Sequence, residues 1–580
     1  MVVKYRLGLG EVCPREELDI TREGETMGIF LNPGKAAFEE AVNSEIYVDK
    51  TEMIGFLNSV VKTKQKYVSV SRPRRFGKTM AADMICAYYD READSRELFE
   101  KRKLAECEPV ERKIGKINWD KYLGAFDVIR LVMTRFFKQN KSVSKALEDM
   151  QSLVIRDYKK EYPDVELFDE KDLIQTLDDV YSNVDRQVVI VIDEWDAVFR
   201  ERREDREGQT DYLDFLRDLM KDNSHIALVY MTGILPIKKY GRHSALNMFD
   251  EYSMISPKSL ARYVGFTDDE VRDICKKRNM DYTSMKDWYD GYHISNDPSV
   301  ELIPEARQTG EKSVYEIYSP QSVVNAVFFR KIENYWNKTE TYEALAEYIR
   351  MDYDGLKDAV ALLMDGGRVQ IDTSTYQNDM TTFHGRDDIL SLLIHLGYLG
   401  YDDTTREVFI PNREILDEFK TSTKSDEWAD TFEAFRLSQK LLKATWEGDA
   451  DEVARLLEKA HDRAGNKTYN DETALSYAVQ YAYYAAQKYY TIIPEMDTGK
   501  GYADIVYIPS PKYPDKPVLL LELKYDKTAQ GAISQIKKQN YPDRLEHYKG
   551  NILLVGIDYD RDVSNTSPEF KRHRCVIERA

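Results

Sequence analysis

Two unbroken apolar runs give the clearest signal along the chain. Val188 to Ile192 is a continuous β-branched stretch that ends in Asp193 and Glu194. A run without a polar face predicts a central strand of a parallel sheet, covered on both sides. "HIALVYMTGI" repeats the pattern and ends in Thr232-Gly233. "VSVSRPRRFGKTMAADMICAYY", Val68 to Tyr89, predicts a short strand, a basic turn and a helix. "FDVIRLVMTRFF" fits a strand or a buried helix, since periodicity does not separate the two in a short apolar run. "GIFLNPGKAAFEEAV…EIYVDKTEMIGFLNSVV" predicts a helix, a short strand and a second helix, after a loose, polar first 27 residues. Strands alternating with helices argue a doubly wound α/β domain with ligands at the carboxyl ends of its strands.

Beyond about residue 265 the pattern changes to short amphipathic helices with long loops. "DDILSLLIHLGYLGYDDTTREVFIPNREI" predicts helix, strand, Asp-Asp turn, strand and helix start. That order is similar to a winged-helix unit. It shows no clear basic recognition face, so a structural lid is expected over a DNA reader. From Ser422 helices run to about Gln487, and "YADIVYIPS", "PVLLLELKY", "AISQIKKQNY" and "NILLVGIDY" then predict strand, strand, helix, strand. The expected domains are 28–265, 266–421 and 422–580.

Composition narrows the function. A chain of 580 residues needs more than one domain, because a single core rarely grows past about 250–300 residues. The net charge of -19 is poorly suited to non-specific phosphate binding, so any nucleic-acid site must be a local basic groove. Five scattered cysteines, Cys13, Cys86, Cys107, Cys275 and Cys575, lack metal-site spacing. They argue against disulfides and structural zinc and for a reducing cytosol. The N-terminus has no apolar signal core, and no run approaches the roughly 18 apolar residues of a span. A cytoplasmic location without a membrane partner is expected.

The basic turn is one residue away from the phosphate-loop pattern G-x-x-x-x-G-K-[ST]. Gly77, Lys78 and Thr79 fit, and Arg72 takes the slot of the first glycine. Such a loop aims successive N–H groups and a helix N-terminus at an anion. Gly77 allows close approach, Lys78 reaches the β- and γ-phosphates, and the Thr79 hydroxyl ligates Mg²⁺. Arg74 and Arg75 add charge beside the site. Asp193, roughly 115 residues on, is the expected Mg²⁺-organising acid, and Glu194 the residue that activates water. Thr232, ending a third strand, is placed to sense the γ-phosphate. Read separately, Gly-Lys-Thr is also compatible with a basic surface turn, and Asp193-Glu194 with a helix N-cap. The order of the three pieces favours an ATP–Mg²⁺ site.

Near the C-terminus, Asp504 precedes Glu522-Leu523-Lys524. Strand alternation puts Glu522 and Lys524 on one face, with Leu523 in the core. Two carboxylates can hold Mg²⁺, the metal activates water, and Lys524 stabilises developing charge. A surface ion pair is the alternative, but Leu519 to Leu521 make the strand apolar, and charges ending a buried strand need a reason. His225, His243 and His395 lack partners at ligand spacing and are expected to be ordinary residues. Trp288, Tyr289 and Tyr292 are expected to pack, and "KRHR", Lys571 to Arg574, to form a solvated tail with phosphate contact as the alternative.

"SRPRRFGKT", "VIDEWDAVF" and "MTGILPI" resemble the AAA-ATPase-like family whose loop reads R-P-R-R-F-G-K-[ST]. "YVDKT" (Tyr47 to Thr51), "WYDGYHI", "IYSPQSVVNAV", "NYWNKT", "LIHLGYLGY" and "IPNREI" extend the resemblance over about residues 28–415. In that family Arg72 is the expected residue, and Trp195 is often Tyr. The resemblance implies a P-loop NTPase parallel sheet with a mostly helical, winged-helix-like lid beside the nucleotide. The D…ExK set resembles the PD-(D/E)XK nuclease superfamily, which implies a restriction-endonuclease-like α/β domain. There Asp504 and Glu522 match the metal-binding acids and Lys524 the lysine. Gln535 and Tyr541 match the following helix, and Glu472 an acid on the first helix. Ala503 replaces the usual proline. The expected function is an ATPase coupled to a Mg²⁺- or Mn²⁺-dependent nuclease acting on DNA, or on RNA, in bacterial defence or mobile-element biology. The rival is a non-catalytic ATP switch with an inactive nuclease-like domain.

Overall fold

The apolar runs become the middle of a five-stranded sheet. The structure is a computed structural model. It describes residues 29–112, 115–237, 246–296, 313–336, 341–351, 353, 355–377, 380, 383–424, 428–464, 472–497, 502–525, 527–538, 551–560 and 573–580. These form two compact units, one running to Leu345 together with Gln370–Glu418, the other made of Ala346–Val369 and Phe419–Ala580. Among the described residues no helix is long and apolar enough to cross a membrane. Residues 1–27, His243 and Tyr541 lie outside the described residues, as do Lys571 and Arg572.

In the first unit, strands β1 (Tyr67–Ser71), β2 (Asp127–Val132), β3 (Val188–Asp193), β4 (Ile226–Gly233) and β5 (Asp250–Tyr252) form one sheet. Their order is β2-β3-β4-β1-β5, and every pairing is parallel. Every residue of β1, β3 and β4 is buried, as their unbroken apolar runs require. β4 lies between β1 and β3, so the basic turn after β1 and the acids after β3 emerge from the same sheet end, two strand spacings apart. Register fixes this: Ser71 stands opposite Gly233, and Asp193 opposite Thr232. Helix α1 (Lys78–Tyr89) follows the turn and packs across β2, β3 and β4.

The ambiguous "FDVIRLVMTRFF" resolves into both alternatives in series. It supplies strand β2 and then helix α2 (Met133–Gln139). Helices α3 (Val143–Glu161), α4 (Leu173–Val184) and α5 (Arg206–Met220) close the apolar layer over β2 and β3, with Leu147, Met150, Leu177 and Leu216 among its members. The short strand expected near Tyr47 is not formed. Helices Ala36–Val42 and Glu52–Val60 flank an irregular segment there. Its polar groups are met by side chains instead: Asp49 accepts from the amides of Thr51 and Lys103 (both 2.9 Å).

Most of the lid, residues 266–345 and 370–418, belongs to the same unit, whereas Ala346–Val369 falls in the second. Helices α6 (Asp268–Arg278) and α7 (Tyr282–Tyr289) precede strands β6 (Tyr292–Asn296) and β7 (Ser313–Tyr318), and helix α8 (Pro320–Phe329) follows. The winged-helix-like order then appears as expected: α9 (Arg386–Leu396), β8 (Gly400–Asp402), β9 (Glu407–Phe409) and α10 (Arg413–Ser422). The Asp-Asp turn works through Asp402, whose carboxylate accepts from the amides of Thr404 and Thr405. Tyr289 and Tyr292 are fully buried packing residues. His395 is also buried, and His225 is held by Asp178 at 3.0 Å.

After Ala346–Val369, the second unit continues with helices α11 (Ala429–Glu447), α12 (Ala450–Ala464) and α13 (Glu472–Ala482). Strands β10 (Tyr490–Asp497), β11 (Tyr502–Pro509) and β12 (Val518–Tyr525) come next, then α14 (Ala529–Lys538), β13 (Ile552–Tyr559) and β14 (His573–Arg579). The sheet runs in chain order and is mixed, with β12 and β13 parallel across α14 and every other pair antiparallel. The described part of "KRHR" is not a tail. His573 opens the edge strand β14, is fully buried and meets Glu458 at 2.9 Å.

Candidate nucleotide and nuclease sites

Gly77 ends the basic turn with φ +89 and caps α1, a conformation that favours glycine. Lys78 opens the helix and is 8% exposed. Burial pushes its ammonium down to about 8, against the pull of Asp193, Asp196 and Glu194. Its Nζ donates to the carbonyls of Arg72 (2.9 Å) and Pro73 (2.7 Å), so the lysine lies folded over its own loop. Thr79 and Arg74 are exposed at the mouth of that loop.

Pro73, Arg75 and Phe76 face the lid. Arg72 is fully buried and donates through Nη1 to the carbonyls of Ser71 and Tyr252, both at 2.9 Å. Its Nη2 reaches the carbonyl of Leu260 at 3.4 Å. Pro73 lies against Gly397, where an added β-carbon would come within 2.7 Å of the proline ring. Arg75 donates to the carbonyls of Tyr335 and Trp336, both at 2.9 Å. Phe76 meets Tyr292 edge-on at 5.3 Å between ring centroids. The amides of Tyr335 and Trp336 in turn donate to Glu414 at 2.7 and 2.9 Å, beside the Ser322 hydroxyl at 2.9 Å. Glu414 thus holds the peptide that holds Arg75. Burial pushes its carboxyl up to about 7, although these donors and the Arg75 charge pull the other way. Lys50 of "YVDKT" makes a parallel tie, to Glu270 of the lid at 2.6 Å.

Asp193 is 1% exposed at the end of β3, and its Oδ1 is buried and accepts no hydrogen bond. Glu194 has φ +55 and is half-buried. Its Oε2 accepts from the Thr134 hydroxyl and from Arg200 at 3.3 Å. Thr232 is fully buried beside Asp193. Sequence reading missed four groups here. Arg130 on β2 lies 2.8 Å from Asp83 and 3.6 Å from Asp193. Asp196 is fully buried and accepts from the amides of Ile234 and Leu235, both at 3.0 Å. Arg200 sits between Glu194 and Asp196. Only Asp196 left a trace in the sequence, as a second acid three residues after Asp193.

In the second unit, Leu519, Leu521 and Leu523 face the layer made with the α11–α13 helices, while Val518 and Leu520 face α14. Alternation therefore puts Glu522 and Lys524 at the end of the α14-covered face. Glu522 is 1% exposed and Lys524 7%, and they pair at 2.9 Å. Asp504 on β11 reaches across to accept from the Leu523 amide at 2.6 Å. D, E and K thus converge on one sheet end. Gln535 is half-buried on α14, and Glu472 opens α13. A missed acid, the fully buried Asp558, stands opposite Lys524 on β13 and accepts from the Lys527 amide at 3.1 Å. Elsewhere among the described residues, Asp268, Asp290 and Glu316 have metal-like spacing. There the Lys286 ammonium already neutralises the cluster, 2.6 Å from Glu316 and 3.4 Å from Asp290.

Comparison with known proteins identifies two domains. Residues 34–241 match the family model "Predicted AAA-ATPase", and residues 475–567 that of the PD-(D/E)XK nuclease superfamily. No curated protein matches the chain. Among solved structures, the Aeropyrum pernix ORC2 protein (ADPNP-ADP complexes) is 12% identical, covering 67% of this chain and 97% of its own, with a TM-score of 0.28. The Aeropyrum pernix ORC1 protein in complex with DNA is 13% identical, covering 70% and 99%, with a TM-score of 0.22. At those scores neither likeness bears on the sites. The chain carries a predicted AAA-ATPase domain at 34–241 and a PD-(D/E)XK nuclease superfamily domain at 475–567.

Proposed function

We propose that the chain binds and hydrolyses ATP with Mg²⁺ at the end of the parallel sheet, and that its C-terminal domain is a divalent-metal phosphodiesterase acting on DNA. The observation that carries the first half is the grouping of Lys78, Thr79 and the buried, unbonded Oδ1 of Asp193 at one sheet end. Lys78 leaves the carbonyls of Arg72 and Pro73 to hold the β- and γ-phosphates. The exposed amides at the start of α1 take the remaining phosphate oxygens. Thr79 and Asp193 supply hard oxygen ligands that fit Mg²⁺, which neutralises phosphate charge when bound. Glu194, held by Thr134 and Arg200, orients the attacking water, and Thr232, buried opposite Asp193, is assigned to sense the γ-phosphate.

In the second site Asp504 and Glu522 offer a hard donor set from adjacent strands, with Glu472 as a further candidate ligand. The cation there, Mg²⁺ or Mn²⁺, supplies an activated water. Lys524, held by Glu522, stands ready to stabilise charge on the phosphate, and Gln535, half-buried on α14, is assigned as a positioning group. The rival reading, a nucleotide-gated interaction switch, draws support from how much of the loop is docked in the lid. The defence role follows only from the family resemblance, RNA is the alternative substrate, and the cytoplasmic location rests on the scattered cysteines without disulfide or metal spacing. The decisive experiment pairs Lys78→Ala with Lys524→Ala in the full chain. Lys78→Ala should abolish ATP binding. Lys524→Ala should keep it and lose Mg²⁺- or Mn²⁺-dependent cleavage of plasmid and single-stranded DNA. Wild-type protein that binds ATP but cuts no DNA or RNA with either metal establishes the switch, and full ATP binding by Lys78→Ala removes the nucleotide site.

A further inference from the structure

A carboxyl group as buried as Asp193 calls for a polar or charged partner. Lys78 is a poor permanent partner. Its Nζ is engaged by the carbonyls of Arg72 and Pro73, and it is the group that a triphosphate would claim. The cation at hand is Arg130. Its Nη2 lies 3.6 Å from Asp193 Oδ2 and 2.8 Å from Asp83 Oδ1. The first distance is a loose ionic contact and the second a close ion pair, so Arg130 is anchored on Asp83 and leans on Asp193.

Asp83 lies four residues past Thr79 on α1, hence on the same helix face. The two oxygen ligands expected for Mg²⁺ come from different elements, Thr79 from the helix and Asp193 from β3. The Arg130–Asp83 pair joins that helix to the sheet one turn further along. β2, which carries Arg130, is itself pinned at its edge, where the Arg130 amide donates to the Phe30 carbonyl at 2.8 Å and Leu31 bridges Ile129. Arg130 contacts Oδ2 alone, so Oδ1 stays unengaged.

Resting on the ATP–Mg²⁺ reading of this site, we propose that Arg130, braced by Asp83, is a positioning residue for the divalent cation. It holds Oδ2 aside and leaves Oδ1 for the metal. It also fixes the spacing between α1 and β3, and so between Thr79 and Asp193. Phosphate binding through Lys78 and the loop amides does not pass through Arg130. The two halves of Mg–ATP recognition are therefore separable.

The test is calorimetric titration of ATP into the full chain, in EDTA and across a Mg²⁺ series. It uses Arg130→Met, Arg130→Lys and Asp83→Asn, with thermal melts to confirm folding. Arg130→Met should bind ATP in EDTA as the wild type does, yet need about tenfold more Mg²⁺ for half-maximal tight binding, the usual size of a ligand-orienting effect. Arg130→Lys should recover most of that loss, because it restores the charge. Asp83→Asn, which leaves Arg130 in place, should shift the requirement less and in the same direction, and it carries the test if Arg130→Met does not fold. Free Mn²⁺ measured by electron paramagnetic resonance gives a second readout, independent of turnover. An unchanged Mg²⁺ requirement in folded Arg130→Met overturns the proposal, as does parallel loss of ATP binding in EDTA. Lys78→Ala separates the two levels: if it still binds ATP, the nucleotide reading itself has failed.

Discussion

Restoring the missing glycine of the phosphate loop, by Arg72→Gly, should damage the protein. The substitution would bring the turn to the common pattern, so a reading from sequence pattern alone expects no harm or a gain. The structure argues the reverse. Arg72 is fully buried and makes two 2.9 Å bonds, to the carbonyls of Ser71 and Tyr252, besides a longer one to Leu260. Bonds from a charged donor contribute about 1.5 kcal/mol each at the low end, so the two short ones give about 3 kcal/mol. Glycine adds about 1 kcal/mol of backbone entropy cost. The sum, about 4 kcal/mol, is a large share of the 5–15 kcal/mol that ordinarily separates folded from unfolded states. Thermal unfolding without nucleotide should show a midpoint lower by roughly 5 °C. ATP titration should show weaker binding, since the carbonyls of Arg72 and Pro73 that seat Lys78 belong to the same loop. Arg72→Lys should fall between, because a single ammonium cannot reproduce the planar fork. A glycine variant that melts within about 2 °C of wild type and binds ATP more tightly would refute this reasoning.

Two other predictions concern groups around the loop. Glu414 has a folded-state carboxyl raised to about 7 by burial, so between about pH 4.5 and 7 the folded protein holds a proton that the unfolded chain releases. Its contribution is complete at low pH and is lost as pH rises through 7. Relative to Glu414→Gln, the wild type should lose about 3 kcal/mol over that window in denaturant unfolding, and a flat or rising difference contradicts the assignment. Thr134→Val removes the hydroxyl that donates to Glu194 Oε2. Steady-state hydrolysis should fall about tenfold with ATP affinity unchanged, and equal turnover would show that Thr134 does not orient the acid.

The parallel sheet was legible because its strands are buried on both faces. Val188 to Ile192 and Ile226 to Met231 have no polar residue to suggest any other placement. The D…ExK grouping was legible for a related reason: charges closing the apolar run Leu519 to Leu521 stand out. The partners of the loop arginines were not. Tyr252, Leu260, Tyr335 and Trp336 are joined to Arg72 and Arg75 through main-chain carbonyls, across 180 to 261 residues, and a carbonyl leaves no mark on side-chain pattern. Arg130 was hidden because it interrupts an apolar stretch that fits helix and strand equally well. The segment at Tyr47 carried β-formers, yet it pairs with no strand, and its hydrogen bonds run through Asp49. "KRHR" misled in the opposite sense, since a basic run so close to the end of the sequence contains the buried His573.

The approach of Pro73 to Gly397 limits how such chains can be recombined. Gly397 has φ +88 and no space for a β-carbon, and its neighbours Tyr292 and Trp336 clasp Phe76 and Arg75. A crossover between loop and lid would put two halves shaped against different counterparts into one molecule, and most such hybrids would be mismatched. A crossover C-terminal to residue 418 spares every one of these contacts but divides the second unit, in which Lys488 is held by Asp365 at 3.0 Å. Exchange of that unit therefore leaves the first unit unaltered only when Ala346–Val369 travels with Phe419–Ala580.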